Sequence, residues 1–270
     1  MTKPAVDLPL PTVLVDGRFH SGEQLAAQLG ISRAAVWKRV RRLQQTLGLS
    51  VDAVRGRGYR LAAPIELLDA DLIRSLLSSG SRRQLAELAL LPSVASTNDL
   101  AMAASPPLPG AAKVWLAEHQ SAGRGRRGRQ WVSVFGASLY LSIAWVFDRP
   151  MSAIAGLSLV AGIAVAETLE RLGVRGIALK WPNDVVVDGR KLSGILVEAS
   201  GEANGPATAV VGVGLNVHLP AAVGRTIDQP WIDLRSLGLS GVGRNALAAA
   251  LIDALIDSCA SYARHPLADF

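Results

Sequence analysis

The heptapeptide Gly123-Arg-Gly-Arg-Arg-Gly-Arg129 cannot belong to a hydrophobic core, because it carries four charges and no apolar side chain. Glycine admits positive φ and lets a ligand approach the backbone closely. Each arginine offers a planar fork to phosphate or carboxylate. The stretch therefore reads as a surface loop that binds an anion and orders around it, with a merely solvated basic loop as the competing reading. Gly123-x-Gly125-x-x-Gly128 also has the form of a dinucleotide fingerprint, but that motif needs a helix opening on its last glycine. Here the chain continues with Gln130-Trp-Val-Ser-Val-Phe135 and Ser138-Leu-Tyr-Leu-Ser-Ile143, which is aromatic and β-branched and reads as strand. RNA-binding Gly/Arg tails are long and repetitive, whereas this stretch occurs once.

Charge divides the chain in two. The net charge is +6 over 270 residues. Residues 1–63 hold ten Lys/Arg against four Asp/Glu, and the remainder holds eighteen of each. All the excess positive charge thus belongs to a small amino-terminal segment, the signature of a nucleic-acid-binding module fused to a neutral domain. The first nine residues contain no apolar run fit for a signal peptide. Residues 151–166 are uncharged, but a spanning helix needs roughly 20 residues, so a buried helix is expected. The single cysteine, Cys259, excludes an intramolecular disulfide or a cysteine metal cluster. A cytoplasmic protein with no membrane contact is expected.

Within the basic segment, Ser21-Gly-Glu-Gln24 forms a capping box that opens a short helix ended by Gly30. Ser32 caps a second helix, in which Val36, Val40, Leu43 and Leu47 recur at helical spacing. Two helices joined by a tight glycine turn, the second one basic, read as helix-turn-helix. Val51–Val54, Arg55-Gly-Arg-Gly58 and Tyr59–Leu61 then read as strand, turn and strand, the wing of a winged helix. Ser32, Arg33, Ala34, Ala35 and Trp37 are the candidates for base edges. Lys38, Arg39, Arg55 and Arg57 are the candidates for phosphate, and Ser21 at the first helix is added as a contact. A winged helix used only for protein contacts is the competing reading.

The expected domain division is 1–63 winged helix, 64–80 linker helix and 81–270 the larger domain. Strands are expected near 87–92, 113–119, 131–134, 138–147, 177–180, 184–188, 191–199 and 207–218. Helices are expected near 97–104, 151–172 and 243–262. Short turns between consecutive strands, including the Asp188-Gly189 hairpin, predict an α+β fold with a mixed, largely antiparallel sheet.

Three more stretches suggest chemistry. Ser96-Thr-Asn98 leaves polar atoms at a strand end, although a helix cap alone explains it. Lys180-Trp-Pro-Asn-Asp184 places an amide and a carboxylate at a strand entrance. Arg190-Lys-Leu-Ser-Gly-Ile-Leu-Val-Glu198 puts Lys191 on a strand beside Gly194, where a ligand can come close, although a lysine after a turn is commonly solvated. No serine elbow, His/Glu metal motif or Walker lysine occurs. The polar set of arginine, lysine and asparagine suits an anionic substrate activated by positioning and electrostatic stabilisation.

The order winged helix, Ser96–Asn98, Gly123–Arg129, Lys180–Asp184, Arg190–Glu198 and Gly212-Val-Gly-Leu-Asn216 resembles the bacterial bifunctional biotin–protein ligases that also repress the biotin operon. The resemblance implies a catalytic fold like that of class II aminoacyl-tRNA synthetases. It implies no permanently bound cofactor, and biotin and ATP with Mg²⁺ as substrates. Biotinyl-5′-adenylate would be the intermediate and corepressor, the biotin carboxyl carrier of acetyl-CoA carboxylase the acceptor, operator DNA a partner, and a homodimer the adenylate-bound state. By the same resemblance Ser96, Thr97, Asn98, Gln120, Gly123, Gly125 and Gly194 would hold biotin, with Arg124, Arg126 and Lys191. Arg126, Arg127, Arg129, Trp131, Asn183, Asn216 and Trp231 would hold the nucleotide. The catalytic set would be Lys191, Arg124, Arg126 and Asp184, the last to orient or deprotonate the acceptor amine. No protein-held metal is expected.

Two departures stand out. His119 occupies a position where many relatives carry an aromatic residue. The SH3-like carboxyl-terminal domain of the family is expected to be missing, since the sequence ends at His265-Pro-Leu-Ala-Asp-Phe270. A lipoate–protein ligase, and an adenylate sensor without transfer activity, are the rival readings.

Overall fold

The computed structural model describes residues 9–202 and 205–265, so the leader question at residues 1–8 and the end of the chain at 266–270 lie outside the described residues. The amino-terminal unit comprises α1 (Pro9–Leu14), α2 (Gly22–Leu29), α3 (Arg33–Leu47), β1 (Val51–Val54) and β2 (Gly58–Leu61). Ser21 and Gln24 form the reciprocal capping box, and Gly30 closes α2 in the left-handed conformation at φ 63°. Ser32 caps α3 through Ala35, and Gly48 ends it at φ 68°. Val36, Val40, Leu43 and Leu47 are buried with Leu10, Leu14, Leu25 and Leu61. The helical spacing read in the sequence is the inward face of α3, and β1 pairs antiparallel with β2 as the wing.

Next come α4 (Ala70–Leu76), α5 (Ser79–Gln84), β3 (Leu85–Leu91), α6 (Thr97–Ala103), β4 (Ala112–Ala117), β5 (Ser138–Phe147), α7 (Leu157–Arg171), β6 (Ile177–Lys180), β7 (Asp184–Val187), β8 (Arg190–Gly201), β9 (Ala207–Asn216), α8 (Ala221–Gly224) and α9 (Arg244–Arg264). The seven strands lie in the order β3-β4-β5-β9-β8-β7-β6. Only β3 and β4 run parallel; the other pairs are antiparallel. The mixed, largely antiparallel α+β sheet is the one expected.

Three elements differ from expectation. Residues 131–134 form no strand: Trp131 N–H donates to the Gly123 carbonyl and Phe135 N–H to the Leu47 carbonyl, so this backbone bonds to loops and to α3 rather than to a sheet neighbour. The helix expected over 151–172 is a 3₁₀ turn at Met151–Ile154 followed by α7. The one helix expected before Gly80 is two, α4 and α5, separated where Ser78 caps the second.

Strand alternation positions the site. On β5, Leu139, Leu141, Ile143, Trp145 and Phe147 enter the main core with Val211, Val213 and Leu215 of β9, under α7 and α9. The intervening residues face the opposite side, and there β5 brings Ser142 opposite Gly212 of β9. Stretches 151–171 and 244–264 are long and apolar enough to cross a bilayer by length and composition. In this fold Val165, Leu169, Leu251, Ile252 and Leu255 are core residues.

A buried polar knot joins the segment after β2 to the sheet. Glu118 accepts from Leu68 N at 2.6 Å and pairs with Arg244 at 2.8 Å, both side chains being about 5–6% exposed. Arg244 also donates to the Glu66 and Ser138 carbonyls. Asn245 donates to the Glu66 carboxylate and the Leu67 carbonyl. Removing one partner of a buried pair strands the other charge, at about 3–5 kcal/mol. Glu118→Gln is therefore expected to lower the unfolding free energy by about that amount. Denaturant titration checks it, and a loss under about 1 kcal/mol would show that Arg244 has another counter-charge.

Candidate active site

Ser96 caps α6 through Asp99 N, which places Thr97 and Asn98 in the first turn facing the sheet. Both are buried. The Gln120 side-chain oxygen accepts from Thr97 N at 2.7 Å and from Thr97 Oγ1 at 3.1 Å. Ser142 Oγ bonds Thr97 Oγ1 at 2.7 Å and Asn98 Oδ1 at 2.6 Å. Asn98 Nδ2 donates to the Leu196 carbonyl and, at 2.9 Å, to Glu198. This is a rigid polar shelf. It fits because Gly212 has no side chain, as a Cβ there would collide with Asn98 Oδ1.

Above the shelf lies the Gly/Arg loop, closed as a small hairpin by Gly125 N–H to the Arg129 carbonyl at 2.7 Å and Trp131 N–H to the Gly123 carbonyl at 2.9 Å. Its turn uses left-handed backbone at Arg127 (φ 56°) and Gly128 (φ 73°). Arg124 pairs with Asp99 and with Glu198, the latter at 3.0 Å. These carboxylates, Asp99 foremost, raise its pKa. Arg126, Arg127 and Arg129 have no carboxylate partner among the described residues, and all three line the cavity.

The opposite wall holds Lys191, whose Nζ lies 2.8 Å from Asp184 Oδ1 and 5.3 Å from the Trp131 ring centre. Trp131 lies against the glycines of β8 and β9: a Cβ on Gly194 would come within 2.9 Å of its ring, and one on Gly214 within 2.6 Å. Its indole N–H is buried without a hydrogen-bond partner. Asn183 donates to the Ile195 carbonyl at 2.7 Å. Trp181 precedes a cis proline and is 78% exposed at the mouth.

These walls enclose about 290 Å³. Ser96, Thr97, Asn98, Gln120, Arg124, Gly125, Arg126, Arg127, Arg129, Trp131, Asn183, Asp184, Lys191 and Gly194 all reach it. Three expected residues do not. Gly123 is buried behind the rim, close to the Gln120 side chain. The Asn216 amide braces the Lys191 and Ile232 carbonyls. Trp231 donates its indole N–H to the Gly224 carbonyl and packs on that glycine. Sequence reasoning passed over Ser142, Asp99, Glu198, Gly212 and Gly214 as site residues. Glu198 and the two glycines stood inside quoted motifs, whereas Ser142 is one serine in an apolar strand and carried no signal.

On the winged helix, Ser32, Arg33, Ala34, Trp37 and Lys38 of α3 are exposed, as are Arg55 and Arg57 of the wing; Ala35 and Arg39 are half-buried. Arg33 pairs with Glu23 at 3.0 Å. Arg41 stacks on Trp37 at 4.4 Å, and Arg57 stacks on Phe19 at 4.1 Å. The Ser21 and Ser32 hydroxyls act as helix caps.

The profile of the biotin/lipoate A/B protein ligase family matches residues 90–216, and that of an HTH domain matches residues 13–60. The bifunctional ligase/repressor BirA of Salmonella typhimurium is 45% identical over 252 residues, covering 93% of this chain and 76% of that protein. The Escherichia coli protein of the same name is 44% identical, covering 92% and 74%. The chain belongs to the bifunctional ligase/repressor family. Among solved structures, the biotin protein ligase of Aquifex aeolicus in complex with biotin and ATP aligns with a TM-score of 0.53 at 25% identity, over 67% of this chain and 73% of that one. The Leishmania major biotin protein ligase in complex with biotinyl-5-AMP gives 0.51 at 25% identity, over 65% and 76%.

In this member of the bifunctional ligase/repressor family, His119 sits beside Gln120, 4% exposed, with Nδ1 2.9 Å from Ser93 Oγ. Burial lowers its pKa to about 4, so the native ring is neutral while the unfolded ring gains a proton near pH 6.5. Its contribution to stability is complete above about pH 6.5 and is lost as the pH falls toward 4, by about 3 kcal/mol in total. His119→Gln should flatten the stability profile between those limits. Unfolding titrations at pH 7 and 4.5 read the slope, and an unchanged slope would mean that another group carries it.

Proposed function

We propose that this chain joins biotin to ATP, giving biotinyl-5′-AMP and pyrophosphate, and then passes biotin to one lysine of a biotin carboxyl carrier protein. With the adenylate as corepressor it represses the biotin operon. Its address would be the cytoplasm. The observation that carries this reading is one cavity lined by a polar shelf, by Lys191 and by Arg126, Arg127 and Arg129, in a chain that also bears a basic winged helix. Residues 1–63 would serve DNA, 64–80 would join the units and 81–270 would carry the chemistry.

The shelf of Ser96, Thr97, Asn98 and Gln120 offers fixed donors and acceptors to the ureido group. In the first step a biotin carboxylate oxygen attacks the α-phosphorus of ATP. The bond to the bridging oxygen breaks, and its electron pair leaves with pyrophosphate. Two anions meet in this step, so cations that neutralise them lower the barrier. Lys191, held by Asp184 and by the Trp131 face, would face the carboxylate and α-phosphate. Arg126, Arg127 and Arg129 meet the phosphates with charge not already balanced by carboxylates. Arg124, clamped by Asp99 and Glu198, fixes the loop over the shelf. Trp131 and Asn183 line the nucleotide side, with Asn216 and Trp231 behind them as supports.

Mg²⁺ would arrive on the ATP phosphates and neutralise part of their charge. In the second step the carrier lysine, as free amine, attacks the carbonyl carbon. The C–O bond to AMP breaks, and the amine proton is taken up at the site, with Asp184 the carboxylate at hand. An adenylate-bound dimer would present two winged helices to two half-sites.

Labelled biotin, ATP and Mg²⁺ with and without carrier protein test the enzyme: adenylate should form alone and the carrier should become labelled. Adenylate without carrier labelling would refute transfer, and no adenylate would refute the ligase. Lys191→Met is expected to reduce adenylate formation about 100-fold or more, as loss of a charge-stabilising donor does; retention within tenfold counts against its role. For DNA, Lys38→Ala or Arg55→Ala should each reduce the salt-dependence slope of operator binding by about 1. An unchanged slope would remove that residue from the phosphate contacts.

A further inference from the structure

The segment that leaves the Gly/Arg loop ends inside the DNA-binding unit. Trp131 rests on the glycine floor of the cavity. Two residues on, Ser133 Oγ accepts from Gln120 N at 2.8 Å, so the backbone is pinned to the residue that holds Thr97. Val134 is fully buried against Ala137 and Leu219, and it also touches the α3 cap, since a Cβ on Gly48 would lie 3.1 Å from its methyl. Phe135, 1% exposed, is a member of the winged-helix core with Leu43 and Leu47. Its N–H donates at 3.0 Å to the Leu47 carbonyl, one of the last carbonyls of α3, which have no partner within the helix. Gly136 then turns at φ +69° against Ile65 and donates to the Glu118 carbonyl.

Phe135 lies four positions after Trp131, a reach of at most about 14 Å. Such a span, pinned at Ser133 and packed at both ends, has little slack. A helix end moves with its helix, and α3 displays Arg33, Ala34, Trp37 and Lys38 at its other end and along its outer face.

We propose that residues 131–136 form a strap that transmits the state of the cavity to the recognition helix within a single chain, with Phe135 as the positioning residue at the helix end. The inference rests on the reading of the cavity as an adenylate site. Fixing Trp131 and the loop around an adenylate fixes the near end of the strap. The far end then holds α3 and its Gly48 cap in one pose against the ligase domain. Reciprocally, DNA that holds α3 in that pose tightens binding of the adenylate, because coupling free energy is shared by both sites. This path needs no second chain and adds to any effect of dimerisation.

Hydrogen exchange with biotinyl-5′-AMP, at concentrations where sedimentation shows a monomer, separates the possibilities. In the wild-type chain the adenylate should slow exchange over 123–131 and also over 43–48, by about fivefold or more. Phe135→Ala should keep the first effect and lose the second, while Phe135→Leu restores it. A single glycine inserted between Val132 and Ser133 leaves the winged-helix core complete but slackens the strap, and should also abolish the second effect. This decides the matter if Phe135→Ala unfolds the winged helix. Protection of 123–131 with no change over 43–48 in the wild type overturns the strap, as does transmission that survives the glycine insertion. No protection at 123–131 overturns the adenylate reading itself, and the two failures are thereby distinct.

Discussion

The catalytic half of this molecule depends on a strip of bare backbone where β8 and β9 pair. Gly194, Gly212 and Gly214 lie on one face of the sheet, with Gly194 opposite Gly214 in register. Any side chain at these positions would meet Asn98 or Trp131. Because the strip is bare, α6 can press its first turn against the sheet and Trp131 can lie against it. The polar shelf and the aromatic wall are two consequences of the same missing atoms. Lys191 follows from them too, since its ammonium is framed by Asp184 and the Trp131 face.

The charges in the cavity are not equivalent. Arg124 is engaged by Asp99 and Glu198, so its contribution is mainly to tether the loop to α6 and β8. Arg126, Arg127 and Arg129 lack such partners among the described residues, so their positive field in the cavity is not cancelled by a neighbouring carboxylate. Four arginines within seven residues thus divide into one that builds the site and three that can use it.

The interface between the two units is made on the same principle of shared parts. The knot of Glu118, Arg244, Asn245 and Glu66 fixes the connecting segment to the sheet. Phe135 is contributed by the ligase half to the core of the DNA-binding half. A domain that borrows a core residue from its neighbour is not mechanically independent of it. That is a physical basis for a ligase whose ligand state can be read by a repressor surface.

Much of this was legible in the chain itself. Local rules were enough for the caps at Ser21, Ser32 and Ser96, the Asp188-Gly189 turn, the apolar stripe of α3 and the exclusion of 123–129 from any core. Each of these depends on neighbours in sequence, where spacing dictates geometry. The motifs that line the cavity were also visible as separate polar stretches. Their convergence was not, because sheet order β5-β9-β8 is set by long-range pairing that no local pattern encodes. The same reason hid Ser142, which matters only because β5 brings it opposite Gly212. It also accounts for residues 131–135, whose β-branched and aromatic composition suits a strand. Tertiary packing gave Trp131 to the cavity and Phe135 to the winged helix: one side chain lies on the glycines of β8 and β9, the other is buried in the winged-helix core, and the backbone between them bonds to loops and to α3 rather than to a strand neighbour.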